Sequence, residues 1–318
     1  MNSILFLGYS NFLKTRILPI IKLVNIQSVS IAKFSEQSWD DDLKKYNYPF
    51  RLYDNYEDAI NQFQGNIVYV STVNSVHYKY ALMGLEKGFH VIIDKPATVR
   101  LEEAAHLIKV AKQKNLLMGE ATVYLMHPQF ALIDKIFIKN GDSPKIVTAC
   151  FSMPPLNNDN FRYKKELGGG AILDTASYAV SLGRYFFKEL PLQVQCAVNE
   201  RNDNRLDIAY SLMMTYGNGK CLIGYFGFNT EYINQLAVLG TRTNISCNRV
   251  FTIPEHQENV INVTHKNKFS EERSKAGNNY QIYLEKYLES LDTGNYEDFY
   301  VDLMLDAQTK EMIINTIL

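Results

Sequence analysis

Val91-Ile-Ile-Asp-Lys-Pro96 places a lysine where an apolar strand ends and a proline forbids its continuation. A run this apolar is the pattern of a parallel strand buried on both faces, and in open α/β sheets ligands sit just outside the carboxyl ends of such strands. Lys95 is therefore a candidate for chemistry as well as for a solvated turn.

Outward from that stretch, short apolar runs alternate with helical spacing. Strands are predicted at residues 4–7, 28–34, 67–71, 90–93 and 116–119, and helices at 56–63, 77–87 and 101–114. A further helical stretch after the first strand carries Leu13, Ile17, Ile20, Ile21 and Val24. Such short-linked units imply right-handed crossovers and a doubly wound parallel sheet. Near Tyr124 the pattern changes to longer strands, at residues 145–153, 192–199, 206–215, 219–227, 235–240 and 243–247. The expected class is α/β: a dinucleotide-binding Rossmann domain over residues 1–122, then an α+β domain over 123–318 for substrate binding and oligomerisation. The second domain is expected to carry a large open, mostly antiparallel sheet. Residues 255–278 read as a polar loop with a short strand, and helices at 280–290 and 301–317 as packing back near the first domain.

Composition narrows the partners. With 33 basic and 34 acidic residues the formal net charge is −1, which provides no global field for nucleic acid or an anionic membrane and favours a small molecule. Cys150, Cys196, Cys221 and Cys247 show neither CxxC nor metal-ligand spacing, so they read as reduced thiols of a cytosolic protein, and no metal site is expected. No apolar run is long enough to span a bilayer, and the N-terminal run lacks the flanks of a signal peptide, so the expected location is cytoplasmic. The 21 tyrosines suit a stacking or sugar-binding pocket, and equally a subunit interface.

Gly8-Tyr-Ser-Asn11 stands where a dinucleotide fingerprint would have three glycines, and only Gly8 is present. Ser10 and Asn11 can still hydrogen-bond to phosphate, and the start of the following helix would bring its amides and dipole to the same spot. After the second strand, proteins that select NAD place an acidic residue on the ribose. Here Lys33 and Ser35 suit a 2′-phosphate, so NADP is preferred with NAD as the alternative; Lys33 can also be read as a solvated loop lysine.

Ile67-Val-Tyr-Val-Ser-Thr-Val-Asn74-Ser-Val-His77, followed by Ala81-Leu-Met-Gly-Leu-Glu-Lys-Gly88-Phe-His-Val-Ile-Ile-Asp-Lys-Pro96, resembles the glucose-fructose oxidoreductase, inositol dehydrogenase and rhizopine catabolism family, Gfo/Idh/MocA. The family's Glu-Lys-Pro is Asp-Lys-Pro here, which keeps the carboxylate and the lysine. The turn at Gly8 with Arg16-Ile-Leu-Pro19 is similar to a branch that also lacks the second glycine. Met118-Gly-Glu-Ala121, His127-Pro-Gln129, Phe151-Ser-Met-Pro-Pro155, Asn160-Phe-Arg-Tyr163 and Leu167-Gly-Gly-Gly-Ala171-Ile-Leu-Asp174-Thr-Ala-Ser-Tyr178 resemble nucleotide-sugar 3-ketoreductases and the dihydrodiol and aldose dehydrogenases. Phe226-Gly-Phe228 and Glu231-Tyr-Ile-Asn234 are similar to sugar-modifying members, while Ala176 stands where relatives often have glycine.

The resemblance implies an NADP-dependent oxidoreductase that reduces a keto group on a nucleotide-linked sugar. Its alternatives are a free aldose or trans-dihydrodiol dehydrogenase and a non-catalytic NADP-binding regulator. It implies Lys95, Tyr178 and Asp174 as the catalytic group. Asp174 and Tyr178, four residues apart, share one helix face. A phenol, protonated at neutral pH, suits proton donation to a carbonyl oxygen, with Lys95 polarising it. Asp94 would orient Lys95. The cofactor side would comprise Gly8, Tyr9, Ser10, Asn11, Phe12, Lys33, Ser35, Ser71, Thr72, Asn74, His77, Asp94, Lys95 and Glu120, with His77 near the nicotinamide ribose. Arg162 and Tyr163 would join Asp174 and Tyr178 in binding the substrate. A homodimer or homotetramer through the second sheet is expected, because an open sheet face needs cover.

Overall fold

The protein was analysed as a computed structural model, which describes all residues except Met1, Ser35, Gln37, Ser38, Asp40, Asn47 and Leu318. The chain divides into two compact units: Met1–Ala121 with Tyr280–Met304, and Thr122–Asn279 with Leu305–Leu318.

The first unit holds six parallel strands, β1 (Ser3–Leu7), β2 (Ser28–Ala32), β3 (Phe50–Tyr53), β4 (Ile67–Val70), β5 (His90–Ile93) and β6 (Met118–Glu120), in the order β3-β2-β1-β4-β5-β6. β4 is buried along its whole length and β5 everywhere but His90, which is why both read as unbroken apolar runs. Helices α1 (Tyr56–Gln62), α2 (His77–Glu86) and α3 (Leu101–Lys114) connect strands in this half. Asn55 caps α1 by accepting from the Asp58 amide, and Asn115 closes α3 in the left-handed conformation. The sheet order reverses direction between β1 and β4, the place where such sheets open a crevice for a dinucleotide.

Two expectations change here. The helix expected after Gly8 is a π-helical turn, Leu13–Ile17, running into a 3-10 turn, Leu18–Ile20. Pro19 lacks the amide that would extend an α-ladder and its ring crowds the preceding turn. The second strand stops at Ala32, and Phe50–Tyr53, too mixed in polarity to stand out, adds an edge strand.

The second unit is built on eight strands: β7 (Ile146–Ser152), β8 (Gln193–Arg201), β9 (Asp207–Thr215), β10 (Cys221–Gly227), β11 (Ile233–Leu239), β12 (Thr243–Asn248), β13 (Val260–His265) and β14 (Lys268–Arg273). Their order is β14-β13-β12-β11-β7-β10-β9-β8, with only β7 and β10 parallel. Helices α4 (Pro128–Lys139) and α5 (Ala171–Phe187) belong to this unit. Alternate residues of β7, Val147, Ala149 and Phe151, join α5 in one apolar core, while Thr148 and Cys150 point the other way. That second face lines an open groove of about 750 Å3, with Met213, Ile223, Tyr225 and Ala237 among its residues. The stretch read as a loop contains the β13/β14 hairpin; only alternate residues of β13 are buried and β14 is almost wholly exposed, so neither carries a strong apolar signature.

Helices α6 (Asn279–Thr293) and α7 (Glu297–Asn315) complete the chain. In the first unit, Tyr287 and Tyr300 donate to the carbonyls of Leu117 and Leu116, at the entry to β6. In the second, the far part of α7 is held by a two-pronged ion pair, Arg184 Nε to Asp306 Oδ1 at 2.8 Å and Nη2 to Oδ2 at 3.1 Å.

Candidate active site

In the first unit the candidate residues gather along the carboxyl edge of the parallel sheet. Gly8 has φ +122, and a Cβ there would lie 2.1 Å from the Ser71 carbonyl oxygen, so the turn after β1 closes on the end of β4 only because this residue is glycine. The Gly8 amide donates to Ala32 and the Ser71 amide to Leu7, which locks the ends of β1, β2 and β4 together. Ser10 does not extend a free hydroxyl to the crevice alone: its Oγ accepts from the Leu13 amide and caps the turn that follows. Since that turn is a short π-turn, the long helix dipole expected here is not part of the cradle. Tyr9 is buried against Trp39 at 4.8 Å, and Phe12 meets Tyr280 edge-on.

Lys33 is not a solvated loop lysine. It is 6 % exposed, its Nζ lies 3.0 Å from Asp54 Oδ1, and it sits over the Trp39 ring. Trp39 Nε1 donates to the same carboxylate, and these bonds, Lys33 first, hold the Asp54 carboxyl below its ordinary range. Ser35, the other expected 2′-phosphate contact, lies outside the described residues.

Around Lys95 the groups interlock. Asp94 Oδ1 accepts from the Tyr69 hydroxyl at 2.7 Å and Oδ2 from the Ser71 hydroxyl at 2.5 Å. Burial pushes the Asp94 carboxyl up, opposed by those two hydrogen bonds and by the charges of His77 and Lys95. Glu120 Oε2 accepts from the Ala97 amide at 2.7 Å, fixing the turn that follows the lysine. His77 is 1 % exposed, with Nδ1 2.8 Å from the Pro96 carbonyl and Nε2 3.1 Å from the Thr72 carbonyl. Expected beside the ribose, its ring instead spends both nitrogens on backbone. Asn74 is buried at the start of the 3-10 turn Asn74–Val76, and Thr72 makes only a long contact, 3.4 Å, to the Val73 carbonyl.

In the second unit the glycine run does what its composition suggests. Gly169 and Gly170 take backbone bonds to the Lys164 and Arg162 carbonyls, and a Cβ on Gly169 would lie 2.6 Å from the Arg162 carbonyl oxygen. Gly170 has φ +112 and opens α5, whose Ile172 amide is capped by Asp207 Oδ2 from β9. This closeness delivers Arg162, whose Nε donates to Asp174 Oδ2 at 2.9 Å. Burial pulls the Arg162 guanidinium down, and the Asp174 carboxylate, by charge and hydrogen bond, more than offsets it. Asp174, expected to bind the substrate, is 4 % exposed and paired with Arg162.

Tyr178 lies one helical turn beyond Asp174 on the same face of α5. Its ring is held by Tyr124, Phe151 and Phe251, with centroids at 5.5, 5.1 and 4.6 Å. Tyr163 points elsewhere: its hydroxyl accepts from the Leu156 amide and pins the proline-containing loop. Sequence reading missed Tyr69, Asp54, Trp39 and Phe251. Tyr69 and Phe251 look like ordinary apolar positions, and Asp54 and Trp39 are brought to Lys33 only by the pairing of β2 with β3.

A parallel sheet of this order with a glycine-closed first turn defines a dinucleotide-binding fold, and comparison with known proteins gives its class. Residues 3–122 match the Gfo/Idh/MocA oxidoreductase family, NAD-binding Rossmann fold, and residues 143–246 match the Gfo/Idh/MocA C-terminal domain. The chain belongs to this family. It is 28% identical over 213 residues to dTDP-3,4-didehydro-2,6-dideoxy-alpha-D-glucose 3-reductase of Saccharopolyspora spinosa, an alignment covering 66% of this chain and 64% of that protein. It is 22% identical to D-xylose 1-dehydrogenase (NADP(+)) 2 of Haloferax volcanii, over 87% of this chain and 85% of that one. Its fold is that of a 3-ketoreductase from Actinomadura kijaniata crystallised with NADP and TDP-benzene: TM-score 0.90, 20% identity, 99% of this chain and 97% of the other. Among the described residues no helix is long and apolar enough to cross a membrane, and no cluster of three metal-ligand side chains occurs.

Proposed function

We propose that the protein is an NADP-dependent oxidoreductase that reduces a keto group of a nucleotide-linked sugar. The observation that carries this reading is the start of α5, where a phenol in an aromatic cup lies one helical turn beyond a buried carboxylate that orients an arginine. A phenol can deliver a proton to a carbonyl oxygen, and a guanidinium held at its base by Asp174 keeps other N–H groups for a phosphate or hydroxyl. The similarity to 3-reductases of dTDP-linked deoxysugars supplies the substrate class.

The first unit fits the cofactor. The cradle at Gly8 would be filled by any Cβ, and a cation stands at the end of β2 where a 2′-phosphate would select it. When bound, NADPH supplies the hydride. Tyr178 then gives the proton to the carbonyl oxygen, and Lys95 polarises that oxygen while Asp94, gripped by Tyr69 and Ser71, keeps the lysine in place. Arg162 orients the substrate and Asp174 orients Arg162.

A second copy of the chain covers the open face of the eight-stranded sheet, where Ile223 is 44 % exposed beside the half-buried Met213 and Tyr225. A stable monomer at micromolar concentration by light scattering would overturn this part.

The test of the reaction is NADPH consumption with a panel of keto nucleotide sugars, with free aldoses and a trans-dihydrodiol run in the oxidative direction beside them. Turnover confined to the keto nucleotide sugars is expected. Turnover of free sugars alone would replace the substrate class, and tight NADPH binding with none of them consumed would point to a regulator.

A further inference from the structure

We infer that His77 is a positioning residue that carries both ring protons and, as an imidazolium, clasps the segment after β4 to the turn after β5 that presents Lys95. The argument begins with the partners. Nδ1 stands 2.8 Å from the carbonyl oxygen of Pro96, and Nε2 stands 3.1 Å from that of Thr72. A carbonyl oxygen can only accept, and a neutral imidazole has one N–H and one bare nitrogen. In either neutral tautomer, one contact would set two lone pairs face to face at hydrogen-bond distance. The ring is 1 % exposed, so bulk solvent does not relieve that contact. Two N–H groups satisfy both.

A buried cation needs a counter-charge. Asp94 is placed to provide it: it stands two residues before the Pro96 carbonyl that His77 holds, and both its oxygens are oriented by the Tyr69 and Ser71 hydroxyls. The neighbouring acid, Glu120, accepts from the Ala97 amide in the same turn. Two cations, His77 and Lys95, thus share one oriented carboxylate, and His77 holds backbone with its two N–H groups. The clasp joins residues 72 and 96, at the exits of adjacent strands β4 and β5, so its loss would let the Lys95 turn drift relative to the β4 exit. Misplacement by about 1 Å costs up to ~10²-fold in rate when a catalytic group depends on it. This functional consequence rests on the proposed role of Lys95; the protonation state does not.

Imidazole nitrogens labelled with 15N report protonation directly. At about pH 7.5, where an ordinary imidazole is mostly neutral, both His77 nitrogens are expected in the protonated range, each correlated to its own proton. One bare nitrogen would overturn the inference. The resonances are assigned by their absence in His77→Gln; if that variant does not fold, replacing the other five of the six histidines singly assigns them by elimination. In Asp94→Asn, the loss of the counter-charge is expected to return one ring nitrogen to the unprotonated range, and two protons retained there would overturn the pairing. Folded His77→Gln should lower kcat by about tenfold to a hundredfold with a smaller change in KM. An unchanged kcat beside a doubly protonated ring in the parent would remove the positioning role. Absence of turnover in the parent with every sugar would instead defeat the substrate reading and leave the ring's protonation standing.

Discussion

The two units each bury a histidine to 1 % exposure, and they treat it in opposite ways. His77 faces two carbonyl oxygens beside a carboxylate. His127 caps α4 by accepting the Gln129 amide on Nδ1, leaves Nε2 with no hydrogen-bond partner, and is pushed by burial down to about 4. The first unit thus packs charge tightly at a sheet edge and satisfies it with backbone and hydroxyls. The second unit packs aromatic rings around Tyr178 and keeps its charge to ion pairs, Arg162 with Asp174 and Arg184 with Asp306. The difference assigns the work: polar groups in the first unit are fixed before any ligand arrives, whereas in the second the phenol is placed by apolar packing and only the arginine is placed by charge.

The sharpest way to break this division is to remove the chemistry on each side separately. Tyr178→Phe deletes one oxygen and leaves the ring in its cup, so kcat should fall by about 10²- to 10⁴-fold while the protein's unfolding midpoint in urea and its NADPH affinity stay close to the parent's. Lys95→Ala should cost a similar factor in kcat and also weaken NADPH binding. Undiminished turnover in both variants would refute the assigned roles. A large loss of stability in Tyr178→Phe would show that the hydroxyl, not the ring, holds the cup.

The glycine turns sharpen the comparison at the level of backbone. Alanine at Gly8 would meet the Ser71 carbonyl, just past β4, at 2.1 Å, and backbone cannot step aside; alanine at Gly170 would meet the Asp207 carboxylate at 2.9 Å, a side-chain end that can. Both also leave the conformations that L residues prefer, which costs on the order of 1–3 kcal/mol. Gly8→Ala is therefore expected to lose more stability than Gly170→Ala in urea titrations and to lose NADPH binding with it. Gly170→Ala should show mainly a kinetic defect, because what it disturbs is the cap on the first turn of the helix that carries Asp174 and Tyr178.

What could be read from sequence follows the same line. The parallel sheet was legible because β4 and β5 bury both faces and so display unbroken apolar runs, and because Gly8 marks a turn where a Cβ would run into backbone. The lysine at the end of β5 and the pair Asp174 and Tyr178 were legible as chemistry at a strand end and at helix spacing. The partners were not. Nothing in a linear chain says that Tyr69 reaches Asp94, that Asp54 from the end of β3 reaches Lys33, or that Tyr163 turns to a backbone amide, since the first two depend on pairing between separate strands and the third on how an irregular loop folds back on itself. The edge strand β3 and the β13/β14 hairpin escaped for a related reason: exposed strands carry little apolar pattern.

The histidines give a smaller and pH-dependent test. His127 binds its proton in the folded state only near about 4, whereas the unfolded chain binds it near the ordinary 6.5. Below 6.5 the unfolded state therefore holds more protons, and stability falls as the pH drops from there toward 4, by on the order of 1–3 kcal/mol. His127→Asn keeps an acceptor at the cap of α4 and removes the titration. The difference in urea midpoint between parent and variant should shift in the parent's disfavour across that window, and a constant difference would mean the ring is charged in the fold.

The smallest expected effect concerns cofactor choice. Lys33 is positioned for a 2′-phosphate but already engages Asp54, a carboxylate that is itself 77% exposed. The carboxylate end of this pair faces solvent, which screens it, so Asp54 competes weakly for the cation that the phosphate needs. Asp54→Asn should then tighten NADPH about twofold to fivefold and leave NADH unchanged, whereas Lys33→Ala should weaken NADPH about tenfold or more, the worth of one charge-assisted hydrogen bond, again sparing NADH. Trp39, the single tryptophan of the chain, donates to Asp54 and lies against Tyr9 and Lys33, so its fluorescence reports occupancy at this corner. If the parent binds the two nucleotides equally and neither substitution separates them, Lys33 belongs to the packing of Trp39 and not to selection. If Asp54→Asn weakens NADPH instead, the aspartate is holding Lys33 in place for the phosphate, and the carboxylates of both halves, Asp54 as much as Asp94 and Asp174, serve to aim a cation.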